Sequence, residues 1–331
     1  MREKYDFIVI GLGPAACLVA RLLAEAGGRV AMLRGARPTA EDVSDWIDYW
    51  LVPLDDSAAK VTSLYGDAFT SLESLAQQIV DVEHVSSAAS PDQPAPQRCA
   101  ALAVEDFRSA CQASLADVAG VRVLRQLRLD QYLLAGERVV GIEGVERDGT
   151  RRKLYAPMVI DARGDKVRTA VRPDAPGLFD AIAWGRYLDV TRQASNPTAS
   201  ALTFTGHSGS RFWLLPIDET ETHLGVEATA LPASRLTSAA QIWEDELVGC
   251  PELAQRLMHA KLLEACDFRH LTYTGKVQSP VEGMVTVAEL DAPTPLAFRW
   301  SILENAAQTA ETILRDNLLP SPTEGVAKPH G

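Results

Sequence analysis

Two pieces of this sequence carry residue types that can do chemistry. The first is Gly11-Leu12-Gly13-Pro14-Ala15-Ala16, between an apolar run (6–10) and a segment with Leu18, Val19, Leu22 and Leu23 at helical spacing. Gly11 permits a tight turn, and Gly13 lets a pyrophosphate approach the backbone. The small Ala16 allows close helix–strand packing. The helix that follows aims its positive N-terminus at the phosphates. The second piece is Arg211-Phe212-Trp213. Strand alternation puts Arg211 and Trp213 on one face. There a guanidinium that can hold a carboxylate stands beside a wall for a flat organic substrate. Trp46, Trp50 and Trp184 are further candidates for such walls, or for ordinary core.

Arg34 stands twenty-three residues after Gly11, where a ribose-binding acid belongs at the end of the second strand. An arginine offers only donors, so it cannot accept from ribose hydroxyls. It can meet a 2′-phosphate, as in NADP sites, or simply face solvent. Cys99 reads as a reactive thiol or, more simply, as a small buried residue. Cys17 opens the glycine-turn helix, where the dipole lowers a thiol pKa or the side chain merely fills space. The six histidines have no metal-ligand spacing. His207-Ser208-Gly209-Ser210 reads as a hairpin turn rather than a hydrolytic site.

Elements must position these residues. The runs 6–10 and 29–33 read as buried parallel strands on either side of the glycine-turn helix. A helix is expected over 39–51, with Trp46 and Trp50 one turn apart, and a polar excursion over 84–98. An amphipathic helix follows over 103–118. Strands follow at 121–124, 127–134, 139–145, 152–155 and 158–161. From about 180 to 230, strands alternate with Ser, Asn, Gly, Asp and Thr, as in an antiparallel sheet. Helices over 236–247 and 251–258, strands at 267–275 and 284–287, and a helix over 301–318 complete the chain. The expected fold is α/β. A discontinuous Rossmann-like domain (1–171 plus 276–318) carries an inserted, mainly antiparallel domain (172–275) and a disordered tail (319–331).

The segment Tyr5-Asp6-Phe7-Ile8-Val9-Ile10-Gly11-x-Gly13-Pro14-Ala15-Ala16 resembles the opening of the flavoprotein monooxygenases. That group includes p-hydroxybenzoate hydroxylase, the flavin-dependent halogenases and the geranylgeranyl reductases. Val159-Ile160-Asp161-Ala162-Arg163-Gly164 is similar to their second flavin motif. Phe212-Trp213-Leu214-Leu215-Pro216 is similar to a strand of their substrate sheet. The resemblance implies that Gly11, Gly13, Pro14, Ala15, Ala16, Arg34, Asp161, Gly164 and Glu289 line an FAD site. Arg211 and Trp213 would serve the substrate. It also implies reduction of FAD by NAD(P)H, uptake of O2, and oxygen or halogen transfer to a small organic, possibly aromatic, compound. Arg34, Glu289 and the bulky Phe298 and Trp300 motivate a second reading, a flavin-free or weakly flavin-binding relative acting as a cyclase, isomerase or accessory binding protein. Ala16 with Arg34 motivates a third, an NADP-binding reductase.

Composition narrows the setting. Thirty-two basic against forty-four acidic residues give a net charge of −12, which argues against a general nucleic-acid binder. Five cysteines without a C-x-x-C pair suggest a reducing compartment. Glu3, Asp6 and the early glycines argue against a signal peptide. With no run apolar enough to span a bilayer, the expectation is a cytoplasmic protein.

Overall fold

The computed structural model describes residues 3–35, 49–66, 72–85, 97–162, 178–190, 200–235, 238–265, 269–271, 281–287 and 300–316. The first part runs β1 (Glu3–Lys4), β2 (Phe7–Ile10), α1 (Pro14–Glu25), β3 (Val30–Arg34), β4 (Tyr49–Pro53), α2 (Asp56–Ser63), α3 (Leu72–Leu75), β5 (Ala76–Val85) and β6 (Gln97–Ala103). Next come α4 (Val104–Ala113), β7 (Val121–Ala135), β8 (Arg138–Val145), β9 (Arg151–Tyr155) and β10 (Met158–Asp161). A run of four strands follows: β11 (Leu178–Leu188), β12 (Ser200–Thr205), β13 (Arg211–Pro216) and β14 (Glu221–Pro232). The last are α5 (Ala239–Val248), α6 (Pro251–Arg256), β15 (Lys261–Ala265), β16 (Arg269–Leu271), β17 (Met284–Thr286) and α7 (Trp300–Arg315).

The first sheet has the order β1-β9-β8-β7-β3-β2-β10-β17. Its centre is parallel, with Ile8 opposite both Ala31 and Val159, and Val159 opposite Met284. The expected juxtaposition of 284–287 with 6–10 and 158–161 is therefore present. Every residue of β2 is buried, as a run of Phe, Ile and Val covered on both faces requires. Phe7, Val9, Val30, Met32 and Ile160 face α1, α4 and α7, where Leu18, Leu23, Leu303 and Ala306 complete the layer. Burying such side chains contributes roughly 1.5–3 kcal/mol each. Ile8, Ile10, Ala31 and Leu33 face the opposite way, onto Ile142 and Leu154 of the β8–β9 hairpin.

The second sheet has the order β15-β11-β14-β13-β12-β5-β6-β4, with β16 on β11. Most of it is antiparallel, but β12 and β5 run parallel. It draws β4, β5 and β6 from residues 49–103, so its strands are not confined to 172–275. One face packs Leu202, Phe204, Phe212, Leu214, Leu224 and Val226 under α5 and α6. Towards β6 and β4, Val52, Ala100 and Leu102 join the α1 layer of the first sheet, so a single core links the two sheets.

Several expectations need correction. Residues 49–51 are strand, not helix. Tyr49-Trp50-Leu51-Val52 is rich in aromatic and branched residues and pairs along β6, with Trp50 opposite Leu102. The rest of that expected helix, including Trp46, lies outside the described residues, as do 86–96 of the polar excursion and the 319–331 tail. The strands expected at 121–124 and 127–134 are one strand, β7, whose register against β3 shifts between Leu33 and Arg34. Among the described residues no helix is long and apolar enough to cross a membrane.

Candidate functional site

The glycine turn is held from below and open above. Gly11 has φ +131°, and a Cβ there would lie 2.7 Å from the Ala162 carbonyl oxygen, so only glycine fits. Gln112 Nε2 donates to the Leu12 carbonyl (3.0 Å), and the Tyr65 hydroxyl donates to the Pro14 carbonyl (3.0 Å). Ala15 and Ala16 are buried against the sheet. Gly13 is the N-cap of α1, has no side-chain cap, and would meet nothing within 4 Å if it bore a Cβ. The first N–H groups of α1 are thus available to an outside acceptor, with the positive end of the helix behind them. This donor set and this clearance fit the pyrophosphate of a dinucleotide.

The strand end beyond the turn has the opposite character from a ribose-binding acid. Arg34 is exposed at the carboxyl end of β3 and is the register partner of Arg128 on β7. Val30 and Met32 face α1, and alternation carries Arg34 to that same side. Arg125 follows Leu124, the register partner of Leu33, on the neighbouring strand β7, and its charge opposes the rise of the Cys17 thiol pKa. Among the described residues none of these three arginines has a carboxylate partner. The corner favours an anionic oxygen, not the hydroxyls of a ribose.

Asp161, at the end of β10, is buried and accepts from the Tyr132 hydroxyl at 2.9 Å. Gly164 and Glu289 lie outside the described residues, as does Phe298, while Trp300 begins α7.

Arg211 and Trp213 do share a face of β13, on the side of the sheet opposite α5 and α6. Trp213 is the register partner of Gly225, and Gly225 of Trp184, so the three lie in one row across the sheet. Arg211 is the partner of Glu227, with Nε 3.8 Å from Oε2, and His223 contacts the Trp184 ring at a centroid distance of 4.5 Å. Trp184, Trp213 and His223 are all buried. Trp184 Nε1 and Arg211 Nη1 are buried without a hydrogen-bond partner among the described residues. A buried donor left unpaired costs roughly 1–3 kcal/mol.

Burial sets the protonation of the nearby groups. It drives the His223 pKa down to about 3, helped by the Arg186 charge, so the imidazole is neutral. It pushes the Cys17 and Cys99 thiols up to about 12. Cys99 lies buried in β6, so it is the small core residue and not a reactive thiol. For Cys17 desolvation outweighs the opposing charge of Arg125. His207, Ser208 and Ser210 form a hairpin turn pinned to the α5 region, with Ser208 donating to Glu246. Among the described residues no three His, Cys, Asp or Glu side chains cluster for a metal.

The sequence reading missed Gly225, His223 and Glu227. Their signal is the alternation His223-x-Gly225-x-Glu227 against Leu224, Val226 and Ala228 on the other face of the strand.

No protein-family model and no curated protein matches this sequence. Solved structures do match in three dimensions. The flavin-dependent brominase Bmp2 aligns with a TM-score of 0.65 at 16% identity, covering 97% of this chain and 81% of its own. The chain has the fold of the flavin-dependent halogenases. The myxobacterial chondrochloren halogenase CndH, described as a variant of FAD-dependent halogenases, gives 0.64 at 19% identity over 96% of this chain and 75% of its own. A geranylgeranyl bacteriochlorophyll reductase-like protein from Thermoplasma acidophilum gives 0.65 at 17%, over 96% and 80%. The halogenase-like fold thus takes in nearly the whole chain.

Proposed function

We propose that this protein is an FAD-dependent oxidoreductase, monooxygenase- or halogenase-like, acting on a small organic substrate with NAD(P)H as electron donor. The observation that carries the reading is the uncapped start of α1 at Gly13, clear of other atoms and held in place by Gln112 and Tyr65. The likeness to flavin-dependent halogenases supports it. FAD, when bound, supplies the redox chemistry. The protein's part is to hold and to exclude. The first turn of α1 would take the pyrophosphate, with Gly11 and Ala16 keeping helix and strands close. Arg34, with Arg125 and Arg128, would meet the adenosine end. Asp161, Gly164 and Glu289 would lie on the flavin side, as the resemblance of their segments to the flavoprotein monooxygenases implies. The Trp184–Trp213 row, with Arg211, would form the substrate floor, and its burial keeps water out.

A second reading is a relative of the same fold that binds flavin weakly or not at all. Arg34 favours it, because the chain offers a cation where ribose hydroxyls want an acceptor. The visible spectrum of the purified protein, followed by titration with FAD, decides between them. A flavin band, or uptake of added FAD with quenching of its fluorescence, supports the first reading. A colourless protein that takes up no FAD leaves the second.

A further inference from the structure

The face that carries Trp184, Trp213 and Arg211 holds two buried donors, Trp184 Nε1 and Arg211 Nη1, beside the Glu227 carboxylate and the His223 ring. Trp213 lies over Gly225 on β14, and Gly225 is the register partner of Trp184, so both indoles belong to one row of this face. Trp184 Nε1 and Arg211 Nη1 are buried and unpaired among the described residues. Buried donors are nearly always paired in folded proteins, so this face calls for an oxygen acceptor from outside.

The charge of that acceptor is set by Glu227. Its carboxylate stands 3.8 Å from Arg211 Nε, close enough to balance the guanidinium but too far for a hydrogen bond. A second carboxylate would leave one negative charge uncompensated in a buried place. His223, the nearest titratable ring, is neutral and offers no compensation. A neutral carbonyl accepts from the free donors without that penalty. We infer that this face binds a neutral, flat aromatic ketone or aldehyde, its ring on the tryptophans and its carbonyl oxygen accepting from Trp184 Nε1. This rests on the reading of the same sheet as the substrate floor and adds the class of substrate.

Three probes of one size test it: acetophenone, benzoate and ethylbenzene, each titrated by ligand-observed NMR against the full chain at pH 7. Acetophenone should bind at least tenfold more tightly than either of the others. Trp184→Phe keeps the ring and removes one donor. It should weaken acetophenone three- to tenfold and leave ethylbenzene unchanged. Glu227→Gln frees the guanidinium charge and should reverse the order of acetophenone and benzoate. Circular dichroism checks that each variant is folded, and if Glu227→Gln is not, Trp184→Phe still decides. Benzoate bound best by the unmodified protein, no binding of any probe, or an unchanged acetophenone-to-ethylbenzene ratio in Trp184→Phe overturns the proposal. FAD titration of the same samples separates the two claims. Loss of the flavin reading leaves the probe order standing, and loss of the probe order leaves FAD binding standing.

Discussion

The indole of Trp213 lies across Gly225 so closely that a Cβ on Gly225 would sit 1.9 Å from Trp213 Cζ2. Gly225→Ala must therefore push the ring off β14. Overpacking of this kind costs about 1–3 kcal/mol. Urea unfolding should show that loss for Gly225→Ala, and most of it should return in the double variant with Trp213→Leu. An unchanged midpoint for the single variant would mean that the ring is not held there.

Gly11 and Gly13 should respond oppositely to the same substitution. Gly11→Ala puts a side chain at φ +131° against the Ala162 carbonyl and should destabilise the fold by at least about 1–3 kcal/mol. Gly13→Ala enters open space and should shift stability by no more than about 1 kcal/mol. It should nevertheless weaken FAD at least tenfold, because its methyl group occupies the approach to the helix start. Melting temperature and FAD titration of both variants check this pair of outcomes.

Arg34→Glu exchanges a donor for an acceptor at the end of β3. A charge-assisted hydrogen bond is worth roughly 1.5–3 kcal/mol, about ten- to a hundredfold in affinity. FAD should bind more tightly to the variant by that factor, and NADP more weakly. Tight FAD binding by the unmodified protein would show that other contacts supply what Arg34 lacks.

His223 gives a pH dependence with a definite sign. Its folded pKa, about 3, lies below the ordinary 6.5, so the unfolded chain takes up a proton that the folded one refuses. The stability this contributes is full above about pH 6.5 and is lost as pH falls toward 3. The slope approaches 1.4 kcal/mol per pH unit for one proton. His223→Phe keeps a ring against Trp184 and removes the titration. Urea unfolding at pH 7.0, 5.5 and 4.5 should show a smaller acid loss in the variant. Parallel curves would refute the buried neutral imidazole.

The parallel core was legible because β2, β3 and β10 are unbroken apolar runs and the glycine turn separates the first two. The second sheet was legible in part. Its antiparallel strands follow the polar turns, but nothing local announces that β5 pairs with β12, more than a hundred residues away in the chain. Trp50 misled because an aromatic pair at i, i+4 reads as helix, while the pairing of β4 with β6 is a long-range choice. Arg211 was found from alternation with Trp213. Glu227 and Gly225 were not: alternation places them on one face, but their meaning depends on Arg211 and Trp213 across the strand.

Leu102 and Ala100 of the second sheet share one core with Leu18, Leu23 and Met32 of the first. That common layer has a thermodynamic consequence: the two sheets should lose structure as one cooperative unit. Hydrogen exchange should give the amides of β2 and β6 the same opening free energy, and an anion seated at Gly13 should raise both by an equal amount.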